Sequence, residues 1–177
     1  MQQQNKENNQ QFLIFFLLCI TVLALCTTVW ALFFRHPDRM LMPDYAPVAA
    51  EANATPIPGD SATADKAETG SGSVSLTYSN LVNIDLGEMH ASLLFANPGK
   101  SNQDMVLQLV IQDTVILQTG RLVPGHQITK LNMTADAAAM LAPGGYEGEF
   151  LVSYYDPSTG EKAIVNTRIP VSVTVTD

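Results

Sequence analysis

From Phe12 to Phe34 the chain runs for twenty-three residues without a charge, and no other stretch restricts the rest of the molecule as much. As a helix rising about 1.5 Å per residue it would extend roughly 34 Å, enough to cross a hydrocarbon core of about 30 Å with a modest tilt. The expectation is a single transmembrane α-helix over residues 12–34, in contact with membrane lipid. Residues 1–11 form a short tail rich in Gln and Asn, too polar to bury a core. A cleaved signal peptide fits less well. The apolar run exceeds the usual h-region of about 7–15 residues, and apolar residues continue past Val29-Trp30-Ala31, the local tripeptide that resembles a cleavage site. Leu23-Ala24-Leu25-Cys26 resembles a bacterial lipobox, but Leu25 is bulky where that pattern has a small residue. The reading is therefore an uncleaved signal-anchor. Within it Ala24 with Thr28, and Thr27 with Ala31, stand at small-xxx-small spacing, a candidate helix–helix contact for a weak homodimer.

Charge bears on direction. Lys6 and the amino group precede the span, and Arg35 and Arg39 follow it, so a literal positive-inside count points the following domain inward. The short polar tail, the linker and the surface type of domain point it outward. The reading adopted is a single-pass cell-membrane protein whose C-terminal domain is extracytoplasmic. Trp30, Phe33 and Phe34 at the exit suit an interfacial anchor, and His36 needs no further role.

Residues 35–72 change character. Pro43, Pro47, Pro56 and Pro58, then Gly59-Asp60-Ser61 and Thr69-Gly70-Ser71-Gly72, interrupt a sequence rich in Ala, Ser and Thr that has no apolar periodicity and a surplus of acids. Such a composition predicts a flexible linker. Met40-Leu41-Met42 is its one apolar patch and the place where a folded partner would order it.

Residues 73–177 then read as one domain of about a hundred residues. Period-two alternation appears in Val74-Leu76-Tyr78 and in Val82-Ile84-Leu86, and strands follow over 91–96, 105–111, 115–119 and 128–133. Met105 to Ile111 is almost continuously apolar, as in a strand covered on both faces. Thr134 to Leu141 is a short helical turn with Thr or Asp at its N-cap. The last strand aligns Val165, Ile169, Val171, Val173 and Val175 on one side, and Pro170 calls for a bulge, an edge or a change of sheet. Both cysteines, Cys19 and Cys26, lie in the apolar run, so no disulfide staples this domain and its stability must come from an apolar core. Short strands at this spacing predict an all-β fold, an antiparallel β-sandwich of about seven strands.

Leu141-Ala142-Pro143-Gly144-Gly145-Tyr146 resembles the Leu-x-Pro-Gly-x-x-Tyr corner of fibronectin type III and related immunoglobulin-like domains, shortened by one residue. The resemblance implies an immunoglobulin-like sandwich in which the Tyr146 hydroxyl bonds back to the preceding turn, with Pro143 and Gly144 shaping that turn. Together with the anchor it suggests a bacterial cell-envelope protein.

Chemistry is sparse. His90 and His126 stand alone, without a partner at metal-ligand spacing. Glu147 and Glu149 share a strand face, which a solvated surface explains, and Asp156 to Glu161 reads as a turn and not as a calcium loop. No nucleophile elbow or P-loop is present. The five Lys and Arg of residues 70–177 are scattered among ten acids, which excludes a phosphate-neutralising footprint for nucleic acid. The reading is a non-enzymatic, membrane-anchored binding or structural module without cofactor or metal, contacting an envelope protein or a cell-wall component. An accessory subunit of a membrane complex is the alternative, and an anchored hydrolase a more distant one.

Overall fold

The computed structural model describes residues 14–28, 42–60 and 74–177. Two compact units are distinguished, 1–39 and 40–177. In the first, α1 covers residues 14–28. The expected span over 12–34 lies outside the described residues at both ends, and Ala31 with it. Fifteen helical residues reach about 22 Å, and among the described residues no helix is long and apolar enough to cross a membrane. The side chains of α1 are exposed all round, Ile14, Phe15, Leu17, Leu18, Leu23 and Leu25 among them.

The second unit is mostly β. Its strands are β1 (Thr55–Pro56), β2 (Thr77–Tyr78), β3 (Leu81–Asp85), β4 (His90–Asn97), β5 (Asp104–Ile111), β6 (Thr114–Gln118), β7 (His126–Asn132), β8 (Gly144–Tyr155) and β9 (Lys162–Thr176), with α2 (Ala135–Ala139) between β7 and β8. They form one curled sheet in the order β1-β7-β4-β3-β9-β8-β5-β6, with β2 added beside β4. The expectation of a purely antiparallel arrangement is corrected here. β3 runs parallel to β9, Leu81 opposite Ser172 through Asp85 opposite Thr176, while the other ladders are antiparallel. Alternation along a strand says which face is buried and nothing about which neighbour it takes, so this pairing was invisible in the pattern.

The core lies inside the curl. Val82, Ile84, Ala91, Leu93, Phe95, Ile128 and Leu131 from β3, β4 and β7 meet Leu107, Leu109, Phe150, Val152, Ile169, Val171 and Val173 from β5, β8 and β9. Phe95 and Phe150 pack edge to face with centroids 6.2 Å apart. Val165 departs from its expected row and is exposed. Between the pairs Ser153–Asn166 and Tyr155–Lys162, one residue of β8 faces three of β9, and this bulge lifts Ile164 and Val165 out of register with Ile169. Pro170 stands where β9 has β8 on one side and β3 has not yet joined on the other, so its missing N–H breaks no second ladder. α2 takes Thr134 as its N-cap, the hydroxyl accepting the Ala137 N–H at 3.3 Å.

The stretch expected to be flexible linker, 35–72, is over 42–60 a strap laid on the sheet. Met42 is 8 % exposed against Val106, Tyr155 and Ala46. The Lys162 N–H donates to the Asp44 carbonyl at 2.9 Å, and the Glu51 N–H to the Arg121 carbonyl at 2.9 Å. Proline and small residues deprive the segment of periodicity, but its backbone groups and acids find partners on the domain.

Candidate functional site

The outer face of β5, β8 and β9 concentrates what the domain offers. On β5 the alternation places Val106, Gln108 and Val110 outward, and on β8 it does the same for Glu149, Leu151, Ser153 and Tyr155. The lower half of this face lies under the strap. There the Tyr155 hydroxyl donates to the Pro43 carbonyl at 3.0 Å, and Val106 and Tyr155 are fully buried. Burial pushes the Tyr155 phenol above its ordinary pKa, and Asp44 adds to the rise. The upper half is open. Val110, Gln112, Asp113, Glu147, Glu149, Arg168 and Pro170 border a shallow depression of about 450 Å³, with Glu149 and Arg168 paired across neighbouring strands.

Beside the strap, Asp104 opens β5 at 2 % exposure, with Arg121 Nη1 at 3.6 Å from its Oδ2. Burial drives the Asp104 carboxyl up, Arg121 pulls it part of the way back, and Asp156 adds a smaller push upward. Asp156 itself is held below its ordinary value by the Ser158 hydroxyl and by the Thr159 and Ser158 N–H groups, a turn that stabilises its own carboxylate. Asn97 ties the neighbouring loops, its Nδ2 donating to the Gln103 carbonyl at 2.9 Å and the Leu122 carbonyl at 3.0 Å.

The residues singled out in the sequence are dispersed. The Tyr146 hydroxyl donates to the Ala142 carbonyl at 2.8 Å and accepts the Ala142 N–H at 3.2 Å. Pro143 precedes Gly144, whose φ of 153° suits a residue without Cβ. On α1 the Thr27 and Thr28 hydroxyls both donate to the Ala24 carbonyl, at 2.9 and 2.7 Å. His90 Nδ1 lies 3.3 Å from Glu88 Oε2, and His126 Nδ1 lies 3.2 Å from the Pro124 carbonyl oxygen. Among the described residues no Ser, Thr or Cys hydrogen-bonds a histidine, and no group of three His, Cys, Asp or Glu could hold a metal ion. Glu147 is exposed and Glu149 answers Arg168. What this face presents is a charged depression bordered by β-strands.

Sequence reasoning missed Glu51 and Asp60, acids in a stretch read as solvated. Glu51 Oε2 accepts the Gly120 N–H at 2.7 Å and Asp60 Oδ2 accepts the Gly99 N–H at 2.7 Å. The one available signal was Met40-Leu41-Met42, whose described member Met42 is buried on the chain's own domain. Neither a family model nor a curated protein sequence matches the chain.

Proposed function

We propose that this chain is a non-enzymatic binding or structural module on a single-pass membrane anchor, with an immunoglobulin-like domain outside the cytoplasm that contacts another envelope protein or a cell-wall component. The observation that carries the reading is α1: apolar side chains are exposed on every side, and its described Thr hydroxyls, on Thr21, Thr27 and Thr28, each donate to a carbonyl of their own helix. A helix without a polar face suits lipid and not water. In the sequence the apolar run continues on both sides of α1, from Phe12 and on to Phe34. The strand order supports the fold assignment. β3, β4 and β7 match the first, second and fifth strands of such a sandwich, and β9, β8 and β5 its opposing sheet. The bond from Tyr146 to Ala142 falls at the corner where that family has its tyrosine.

The strap enters beside the 97–104, 119–126 and 155–162 connections, while the 111–114 turn, α2 and the Tyr146 corner lie at the other end of the strands. A module tethered in this way holds the second end, and the depression near it, away from the point of attachment. Asp113, Glu147 and Asp136 give that end an acidic character suited to a basic or polyhydroxylated partner. A second reading, an accessory subunit that uses helix and domain together, is favoured by the Ala24–Thr28 face alone. Replacing residues 12–34 by an unrelated apolar span separates the two. The tethered-module reading expects retention in membranes after alkaline extraction and unchanged binding to the cell envelope, whereas lost binding with intact insertion would select the subunit reading.

A further inference from the structure

The strap at 42–60 joins the domain mainly through polar contacts outside the core ladders, with Ala54 packed against the core. Four of its polar contacts end on glycines in or beside turns: the Ala46 N–H donates to the Gly160 carbonyl at 2.7 Å, the Ile57 N–H to the Gly125 carbonyl at 2.9 Å, and Glu51 and Asp60 accept the Gly120 and Gly99 amides. The Arg121 N–H donates to the Ala49 carbonyl at 3.1 Å, and β1 adds a two-residue pairing with β7. None of these bonds belongs to the β8–β9 or β5–β8 ladders, which hold the core together. Met42, at one end, is the buried apolar side chain of the strap; Ala46 and Ala54 are partly buried, Ala54 against the main core, while Val48 is 96 % exposed. Glu51 is stapled internally as well, its Oε1 accepting the Asn53 N–H at 3.0 Å.

The strap is the first described segment of this unit, so a pull arriving from the N-terminal side loads Met42 before any residue of the ladders. What Met42 covers is the lower half of the outer face, Val106 and Tyr155, which shares strands and facing with the open depression at Val110 and Glu149. Lifting the strap would extend that depression downward by an apolar ledge.

We infer that residues 42–60 form a releasable cover, which detaches from the sheet as a unit while the ladders stay closed, and so enlarges the recognition face when the tether is displaced. The load rests on the anchor reading above, but the separability of the strap does not, and the two fail in different experiments.

Gly120 supplies the test. A Cβ there would lie 3.0 Å from the Glu51 nitrogen and 3.1 Å from the Ala49 oxygen, so the nearest atoms that Gly120→Ala pushes on are strap backbone. In the full chain, hydrogen exchange at the Ala46, Glu51 and Ile57 amides should accelerate at least about tenfold, with the amides of 146–152 and 169–175 changed by less than about twofold. Equal acceleration of strap and ladders, or no change in either, would overturn the inference. Pulling the unsubstituted chain between handles on the N-terminal side of Met42 and at Asp177 offers an independent reading. An early low-force step is expected as residues 42–60 come free, at most about 125 Å for the chain between Met42 and the next strand residue, Thr77, and it should vanish on forming a disulfide in Tyr45→Cys/Glu161→Cys with Cys19→Ser and Cys26→Ser. Unfolding in a single step would refute a separable cover.

Discussion

The Tyr146 hydroxyl is engaged twice by one residue, as donor to the Ala142 carbonyl and as acceptor from its N–H. That pair fixes the approach of the chain to β8 through a turn in which Gly144 adopts a φ of 153°. Tyr146→Phe keeps the ring and removes both bonds, so the unfolding free energy should fall by about 1 kcal/mol in urea titration. An unchanged midpoint would mean that the corner bond adds nothing. Asp104 makes a second, pH-dependent prediction. Burial holds its pKa above the ordinary 3.8, with Arg121 only partly offsetting the rise. A carboxyl raised in the folded state favours folding when protonated, so its contribution is fully present below pH 3.8 and is lost as pH climbs through its folded-state value. Relative to Asp104→Asn, which does not titrate, the unsubstituted chain should therefore gain stability as pH falls through the window just above 3.8. Parallel pH profiles for the two proteins would contradict this. The corner was legible because Pro-Gly-Gly-Tyr is a local signal, while Asp104 with Arg121 was not, since seventeen positions separate them and only the fold brings them together.

Among elements, β9 shows where periodicity is a sufficient guide and where it stops being one. Ile169, Val171, Val173 and Val175 occupy the row that alternation assigned, because each faces the core opposite β8. Val165 left that row because a bulge intervenes, and a bulge leaves no mark on the alternation of a single strand. Two truncations separate these environments. Ile169→Ala should cost about 2–4 kcal/mol through lost packing. Ile164→Ala, at a position 100 % exposed, should stay within about 0.5 kcal/mol of the parent. Comparable losses at both sites would show that the bulge is packed against something. The strap was hidden for another reason. Its attachment is made by backbone groups and by two carboxylates on glycine amides, and composition carries no trace of which acids will meet an N–H. β5 was more transparent, since its apolar run, interrupted only by Gln108, required cover on both faces, and Met42 supplies part of that cover outside the core.

For the whole molecule, an all-β domain follows from alternation and the turn residues, whereas the parallel closure of β3 against β9 depends on contacts between residues some ninety positions apart. The proposed function takes an apolar helix together with a domain whose outer face is partly covered by Met42, in the first described segment of its own unit. The account stands or falls with the claim that the domain is displayed outside the cytoplasm from a membrane anchor. The direct measurement places a single cysteine at the exposed turn, Ser158→Cys, in a chain carrying Cys19→Ser and Cys26→Ser, and treats intact cells with a membrane-impermeant maleimide before alkaline extraction of the membranes. The account predicts labelled protein that stays in the membrane pellet. Label acquired only after the cells are broken, or labelled protein released by alkali, would contradict it.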